Sequence, residues 1–256
     1  MKKVKLGKIH ADHVTFPQAL DAIDQMVAAG SGGYVVTPNV DHVVLAETRS
    51  DLQRAYEDAS LSLVDGMPLV WLSRALGHAL PGKVSGSDLM VPLLQRAADK
   101  HWRVFFSGGE PGVGEEAAQC LRQSMPGLQV VGTDSPPYGF DKDPLMERRA
   151  LSAIRDAEPQ LVLLALGCPK QELLMHRWYQ ELSPAVLLGI GASLDFVAGH
   201  VRRAPAWMSQ VGLEWVYRMT QDPRRLAYRY LVRDRAFVPI AVRMFRTPKA
   251  DRAYSG

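Results

Sequence analysis

What most constrains this chain is the recurrence of short apolar runs, at 34–37, 61–64, 104–107, 129–132, 161–167 and 186–191, with helical patterning between them. Strand-sized runs that alternate with helices predict βαβ units, because parallel neighbours need a crossover. The expected fold class is α/β: a mostly parallel, Rossmann-like sheet with helices on both faces. Before the first run, 4–9 reads as a short strand or hairpin. Thr15 and Gln18 then match a capping box for a helix that stops near Gly30.

Further helices are expected at 41–59, 68–76, 88–100, 112–124, 144–157 and 170–182. Ser87 or Asp88 would cap the third of these helices, counting from 41–59, and Asp143 with Pro144 the fifth. The 256 residues are 47% apolar, enough to bury a full core. Apolar runs such as 161–168 are far shorter than the roughly 18 to 20 residues that span a bilayer. The basic first residues lead into no apolar stretch, so no signal peptide is expected and the protein should stay in the cytoplasm. Cys120 and Cys168 are far apart and lack metal-ligand spacing, so neither a disulfide framework nor a zinc site is indicated.

Charge divides the chain. Residues 200–256 hold 12 Lys and Arg against 4 Asp and Glu, whereas 1–199 hold 18 against 23. The expected organisation is an α/β core at 1–199 and a basic helical appendage at 200–256 without strands. Within the appendage Arg225, Arg229 and Arg233 recur at helical spacing on one face, with Leu226, Tyr230 and Phe237 off it. Such a face either packs on the core or meets an anionic membrane surface.

In doubly wound sheets chemistry gathers at the carboxyl ends of strands. Asp65 follows the run at 61–64 directly, and reads either as a catalytic group or as the cap of the helix that begins near Pro68. Thr37 and Asn39 end another strand, and Gly167, Cys168, Lys170, Gln171 and Glu172 follow a third, so the three clusters should face one cleft. Gly108 and Gly109 lie between a strand and a helix, where backbone N–H groups receive phosphate. Glu115 and Glu116 stand where a P-loop needs Lys and Ser or Thr, which disfavours a nucleotide triphosphatase, and no GxGxxG is present. Asp141-Lys-Asp143 has the form of a metal-holding DxD, but its position before Pro144 favours helix capping.

The segments TPNVDHVVLA, SLVDGMPLVW, VSGSDLM, FFSGGEPGV, LGCPKQE, GIGASLDFVAG and RAPAWMSQVGLEWVYRMTQDPRR resemble, in order and spacing, the bacterial glycosyltransferase family 26. The resemblance implies an inverting, metal-independent transferase without a cofactor. It would move a sugar from a UDP donor to a polyprenyl-diphosphate-linked saccharide at the inner face of the cell membrane. By likeness Asp65 is the general base, and Thr37, Asn39, Lys83 and Gln171 line the sugar and acceptor site. The donor nucleotide and diphosphate are expected at Gly108, Gly109, Gly167, Lys170 and Glu172, with Arg203, Arg218, Arg224 and Arg225 brought by the appendage. Lys83 stands where the family often has arginine, keeping the charge but losing the bidentate fork. Expected partners are the two substrates and an anionic membrane, with a homo-oligomer open and nucleic acid disfavoured. A nucleotide-sugar hydrolase or epimerase, or a nucleotide-sensing nucleic-acid-binding module, is the alternative.

Overall fold

The computed structural model describes residues 2–205, 207–208, 212–247 and 253–254, excluding the side chains of Arg225, Ala253 and Tyr254. Its centre is a six-stranded sheet: β3 (Gly33–Val36), β4 (Leu61–Ser62), β5 (Arg103–Gly108), β6 (Gln129–Asp134), β7 (Leu161–Ala165) and β8 (Val186–Gly189). The order is β4-β3-β8-β7-β5-β6 and every pairing is parallel. Alternate residues enter opposite cores. Tyr34, Val36, Val162, Leu164 and Leu187 join one, whereas Val35, Leu161, Leu163, Val186 and Leu188 join the other. This two-sided burial is why the strands read as nearly continuous apolar runs.

The crossover helices are α1 (Phe16–Ala29), α2 (Val40–Ala46), α3 (Ser50–Glu57), α4 (Met67–Ala75), α5 (Gly86–Asp99), α6 (Val113–Ser124), α7 (Pro144–Asp156), α8 (Lys170–Trp178) and α9 (Ser193–Val197). The capping box at Thr15 and the Asp143 cap form as expected. The helix expected over 41–59 is instead two, because Arg49 adopts an extended conformation and Asp51 binds both its guanidinium and the Leu52 N–H. Polar side chains that compete for backbone groups break helices in this way. Ser85, rather than Ser87 or Asp88, caps α5, accepting from the Asp88 N–H at 3.1 Å.

An amino-terminal hairpin, β1 (Lys3–Leu6) and β2 (Ile9–Asp12), covers the sheet edge at β4. There the Ser62 N–H donates to Asp12 Oδ2 at 2.8 Å and the Ser62 hydroxyl to the His10 carbonyl at 2.6 Å. Pairing an edge strand removes a site of aggregation. After residue 199 come α10 (Glu214–Gln221), α11 (Pro223–Leu231), a 3₁₀ turn (Arg233–Ala236) and α12 (Phe237–Arg246). The expectation of an appendage without strands is corrected by β9 (Ala253–Tyr254), which pairs antiparallel with β1. Ile240 and Met244 are buried, and the Gly7 N–H donates to Met244 Sδ at 3.2 Å, so α12 clasps the hairpin turn.

Candidate active site

The end of β4 is prolonged by hydrogen bonds rather than by formal pairing. The Leu63 N–H donates to the Val36 carbonyl, the Asp65 N–H to Pro38 and the Val84 N–H to Val64, at 2.7 to 2.8 Å. These bonds hold Asp65 between the β3–α2 loop and the residues leading to α5. Gly66, not Asp65, occupies the N-cap position of α4 and receives no side-chain bond, so the helix-cap alternative for Asp65 is overturned. Gly66 has φ +108°, a backbone that L side chains avoid, and this turn leaves the carboxylate at the strand end.

Thr37, Asn39, Asp65, Gly167 and Gln171 line one cavity of about 350 Å³ above the carboxyl ends of β3, β4, β7 and β8. The three separate strand-end clusters of the sequence therefore do share a cleft. On one side it joins, through Asp65, Glu214 and Arg218, a more apolar cavity of about 320 Å³ beneath the appendage. On the other it joins, through Gly167, Phe196 and Arg218, a cavity of about 790 Å³ that includes Gly109, Tyr138 and Lys170. That larger space lies where β5 and β7 send their chains in opposite directions, the switch point at which doubly wound sheets take ligands.

Asp65 is half-buried, and its pKa is pushed up to about 6, first by burial and then by the charges of Glu214 and Asp88, against the pull of Lys83 and Arg218. Lys83 Nζ lies 2.9 Å from Asp88 Oδ2 and 3.6 Å from Glu214 Oε2. A carboxylate with this pKa is ionised at neutral pH yet more basic than an exposed one, which suits proton abstraction from a hydroxyl. Glu214 and Asp88 were not among the expected site residues, since nothing in their local sequence shows that they lie near Asp65.

Glu172 departs from expectation. It is fully buried, accepting from Gln171 Nε2 at 2.8 Å and bonding His42 Nε2 at 3.2 Å. It is therefore a support for Gln171, not a surface for the donor. Gln171 Oε1 in turn accepts the Gly191 N–H at 3.3 Å. His42, Cys168 and Glu172 place their ligand atoms within 4.8 Å of one another. His42 Nδ1 accepts the Asn39 N–H at 3.2 Å, which puts the ring proton on Nε2, facing Glu172. A metal at Nε2 needs that proton moved to Nδ1, against a backbone donor, so the trio fits a hydrogen-bonded cluster better than a metal cage.

Gly109 is also corrected as a phosphate donor, because its N–H is occupied by the Ala165 carbonyl at 3.1 Å. Gly108 sits against the same carbonyl, only 2.5 Å from where a Cβ would stand, so close strand contact explains this glycine. Lys170 lines the large cavity beside the rings of Tyr138 and Phe140, 3.6 Å from Asp141. Of the appendage arginines, Arg218 lines all three cavities and forms no ion pair with any described residue. Arg203 instead binds Asp88, Arg224 is exposed outside these cavities, and the Arg225 side chain lies outside the described residues.

Two arginines not foreseen as site residues take a central place. Arg229 Nε lies 3.2 Å from Asp41 Oδ2, and the Arg233 guanidinium 2.6 Å from Asp41 Oδ1. Asp41 is only 1% exposed. Arg229 also donates to Asn39 Oδ1 at 3.2 Å, so the appendage touches the cap residue of α2. Two of the three arginines at helical spacing thus face the core. Asp234 adds a second acid, its pKa raised to about 6 by burial and by Asp41.

A sequence profile described as Glycosyl transferase WecG/TagA/CpsF family matches residues 4–251. The chain belongs to this family. Among its relatives is the N-acetylglucosaminyldiphosphoundecaprenol N-acetyl-beta-D-mannosaminyltransferase of Bacillus spizizenii, 32% identical over 194 residues, 76% of this chain and 73% of that protein. The protein of the same description from Bacillus subtilis is 29% identical over 203 residues, 79% of this chain and 75% of its own. The family assignment makes this α/β chain a glycosyl transferase, and the cleft along its strand ends is the candidate active site of that transferase. Among the described residues no helix is long and apolar enough to cross a membrane.

Proposed function

We propose that this glycosyl transferase moves a sugar of the N-acetylmannosamine type, or another hexose, from a UDP donor to a polyprenyl-diphosphate-linked saccharide, with inversion and without a metal. The relatives' names motivate the lipid-linked acceptor and the mannosaminyl group. The observation that carries the reading is Asp65, a carboxylate of raised pKa in a cleft shared with Thr37, Asn39 and Gln171.

Asp65 takes the proton of the acceptor hydroxyl as its oxygen bonds the anomeric carbon, and the carbon–oxygen bond to the β-phosphate breaks, releasing UDP. Attack from the face opposite the leaving group inverts the anomeric centre. The donor takes the cavity of about 790 Å³ at the switch point, where Arg218 and Lys170 are lining cations, and such charges stabilise a departing diphosphate where a metal otherwise would. Gly167 borders the same space.

In this reading residues 1–199 are the catalytic core, and 200–256 complete the site and rest on the inner face of the cell membrane. Support comes from Tyr228, Leu231, Val232, Val238, Val242 and Phe245, which are exposed on α11, the residue after it and α12, near exposed Arg224, Arg235 and Arg246. A panel of UDP-sugars with a polyprenyl-diphosphate acceptor, run with and without EDTA, tests donor, acceptor and metal independence together. Transfer from one UDP-sugar that survives EDTA is the expected result; transfer abolished by EDTA and restored by a divalent metal overturns the metal-free mechanism.

A further inference from the structure

The cavity of about 320 Å³ beneath the appendage has a composition that sugar transfer alone does not require. Its apolar walls are Met67 and Pro68 at the start of α4, Trp215 of α10, Tyr230 of α11 and Phe237 of α12, and the charged Lys83, Arg229 and Asp234 also border it. Against such walls a sugar can lay only its C–H faces, whereas an apolar chain is withdrawn from water over its whole length. At about 30 Å³ for each group the size of a water molecule, the space holds on the order of ten heavy atoms, the size of two isoprene units.

Its two ends differ. The inner end meets the strand-end cavity at Asp65 and Arg218, a base and a cation without an ion-pair partner among the described residues. Exposed apolar side chains adjoin lining residues on the other side: Val238 follows Phe237 in the chain and is 65% exposed, and Trp71 of α4, whose ring packs on Gly212, is 47% exposed. A ligand matched to this gradient presents the hydroxyl of its saccharide to Asp65 from the strand-end cavity, lays its anionic group against Arg218, which also borders the larger cavity, and runs an apolar chain beneath the appendage and on along the protein surface.

We infer that the cavity binds the first isoprene units of the lipid acceptor, those joined to its diphosphate, so that the enzyme recognises the lipid as well as the saccharide. This inference rests on the proposed lipid-linked acceptor and adds to it a second binding element, supplied jointly by α4 and the appendage.

The test uses the full chain and two acceptors with the same saccharide diphosphate, one carrying a farnesyl chain and the other a methyl group. The expected kcat/KM for the farnesyl acceptor exceeds that for the methyl acceptor by about 10- to 100-fold, the scale expected from burying a few methylene groups. Phe237→Asn should bring that ratio close to one. Trp215→Ala should do the same, and serves if the first variant does not fold. Isothermal titration adds a readout apart from activity: farnesyl diphosphate should bind tightly to wild type and weakly to the variant, with inorganic pyrophosphate binding equal in both. Transfer to both acceptors with a wild-type ratio near one overturns the inference and leaves the lipid-linked reaction intact. A ratio unchanged in the folded variants overturns it as well. If neither acceptor is glycosylated with any UDP-sugar, the proposed reaction falls and the inference falls with it.

Discussion

On the core side of the cleft, Thr37 and Asp65 hang from strand ends and Gln171 from the first turn of α8, and their backbone groups are bonded within the core, as the Asp65 N–H is to Pro38 and the Gln171 N–H to Gly167. On the appendage side, Arg229 and Arg233 share the core carboxylate of Asp41, Arg229 also reaches Asn39, and Glu214 is joined through Lys83. The first wall is set by sheet hydrogen bonds that exist whenever the domain is folded. The second adds ion pairs, which salt, protonation or a competing anion weaken, to the burial of Leu226, Ile240 and Met244. The proposed base, Asp65, is thus built into the core, whereas the appendage cations and the apolar cavity form only where the appendage is seated. Acceptor and donor sites that can open on one side are also easier to enter and leave.

The largest expected effect lies on the permanent wall. Asp65→Asn should lower turnover by about 10² to 10⁴, the usual contribution of a general base. Its melting temperature near pH 7 should rise, because the ionised carboxylate is held in surroundings that disfavour its charge. Full activity in the folded variant breaks the assignment. Next comes the seat of the appendage. Asp41→Ala leaves two arginines facing a vacated site and should weaken docking by on the order of 3 kcal/mol, toward the low side of the range for broken buried pairs because Arg233 retains 34% exposure. Hydrogen exchange should then speed up across 223–246 while the sheet keeps its protection. Uniform loss of protection would show that the two walls are not separable.

A smaller effect concerns pH. With Asp65 titrating near 6, activity should rise through that pH as the base ionises. Glu214→Gln removes a negative charge near Asp65 and should move the acidic limb to lower pH; an unmoved limb excludes this coupling. The stability change has the opposite sense. Asp65 and Asp234 have folded pKa values of about 6 against 3.8 unfolded, so the folded state binds more protons between these values. Their contribution to stability therefore falls as pH rises across that window, a slope measurable by denaturation at several pH values. The smallest expected effect is at Arg224, which is exposed and outside the cavities. In a detergent-solubilised assay Arg224→Ala should change kcat/KM by less than about threefold, whereas Arg218→Ala should lose more through the donor. Equal losses would erase the distinction between inward and outward arginines.

Much of this was legible in sequence because its signals are local. Thr15 with Gln18, and Asp143 with Pro144, carry their own capping chemistry, and each forms where expected. Apolar runs buried on two faces announced the parallel sheet, and strand-end position singled out Asp65, Thr37 and Gln171. The errors arose where partners are distant. Glu172 looked like one more polar residue in a turn, but His42, 130 positions away, makes it a buried support. Gly109 resembled a phosphate-binding glycine until Ala165 proved to hold its N–H. The spacing of Arg225, Arg229 and Arg233 defined a helical face without saying what it meets.

By itself, then, the sequence determined the α/β class, the helix caps at Thr15 and Asp143, the strand-end acid and the family. Periodicity, capping and short motifs depend on residues within a few positions of each other. Only the tertiary structure decided that Glu214 adjusts Asp65, that Asp41 seats Arg229 and Arg233, and that an apolar cavity lies between α4 and the appendage. Each of these joins segments far apart in the chain, and electrostatic coupling and burial depend on distance in space, which folding alone establishes.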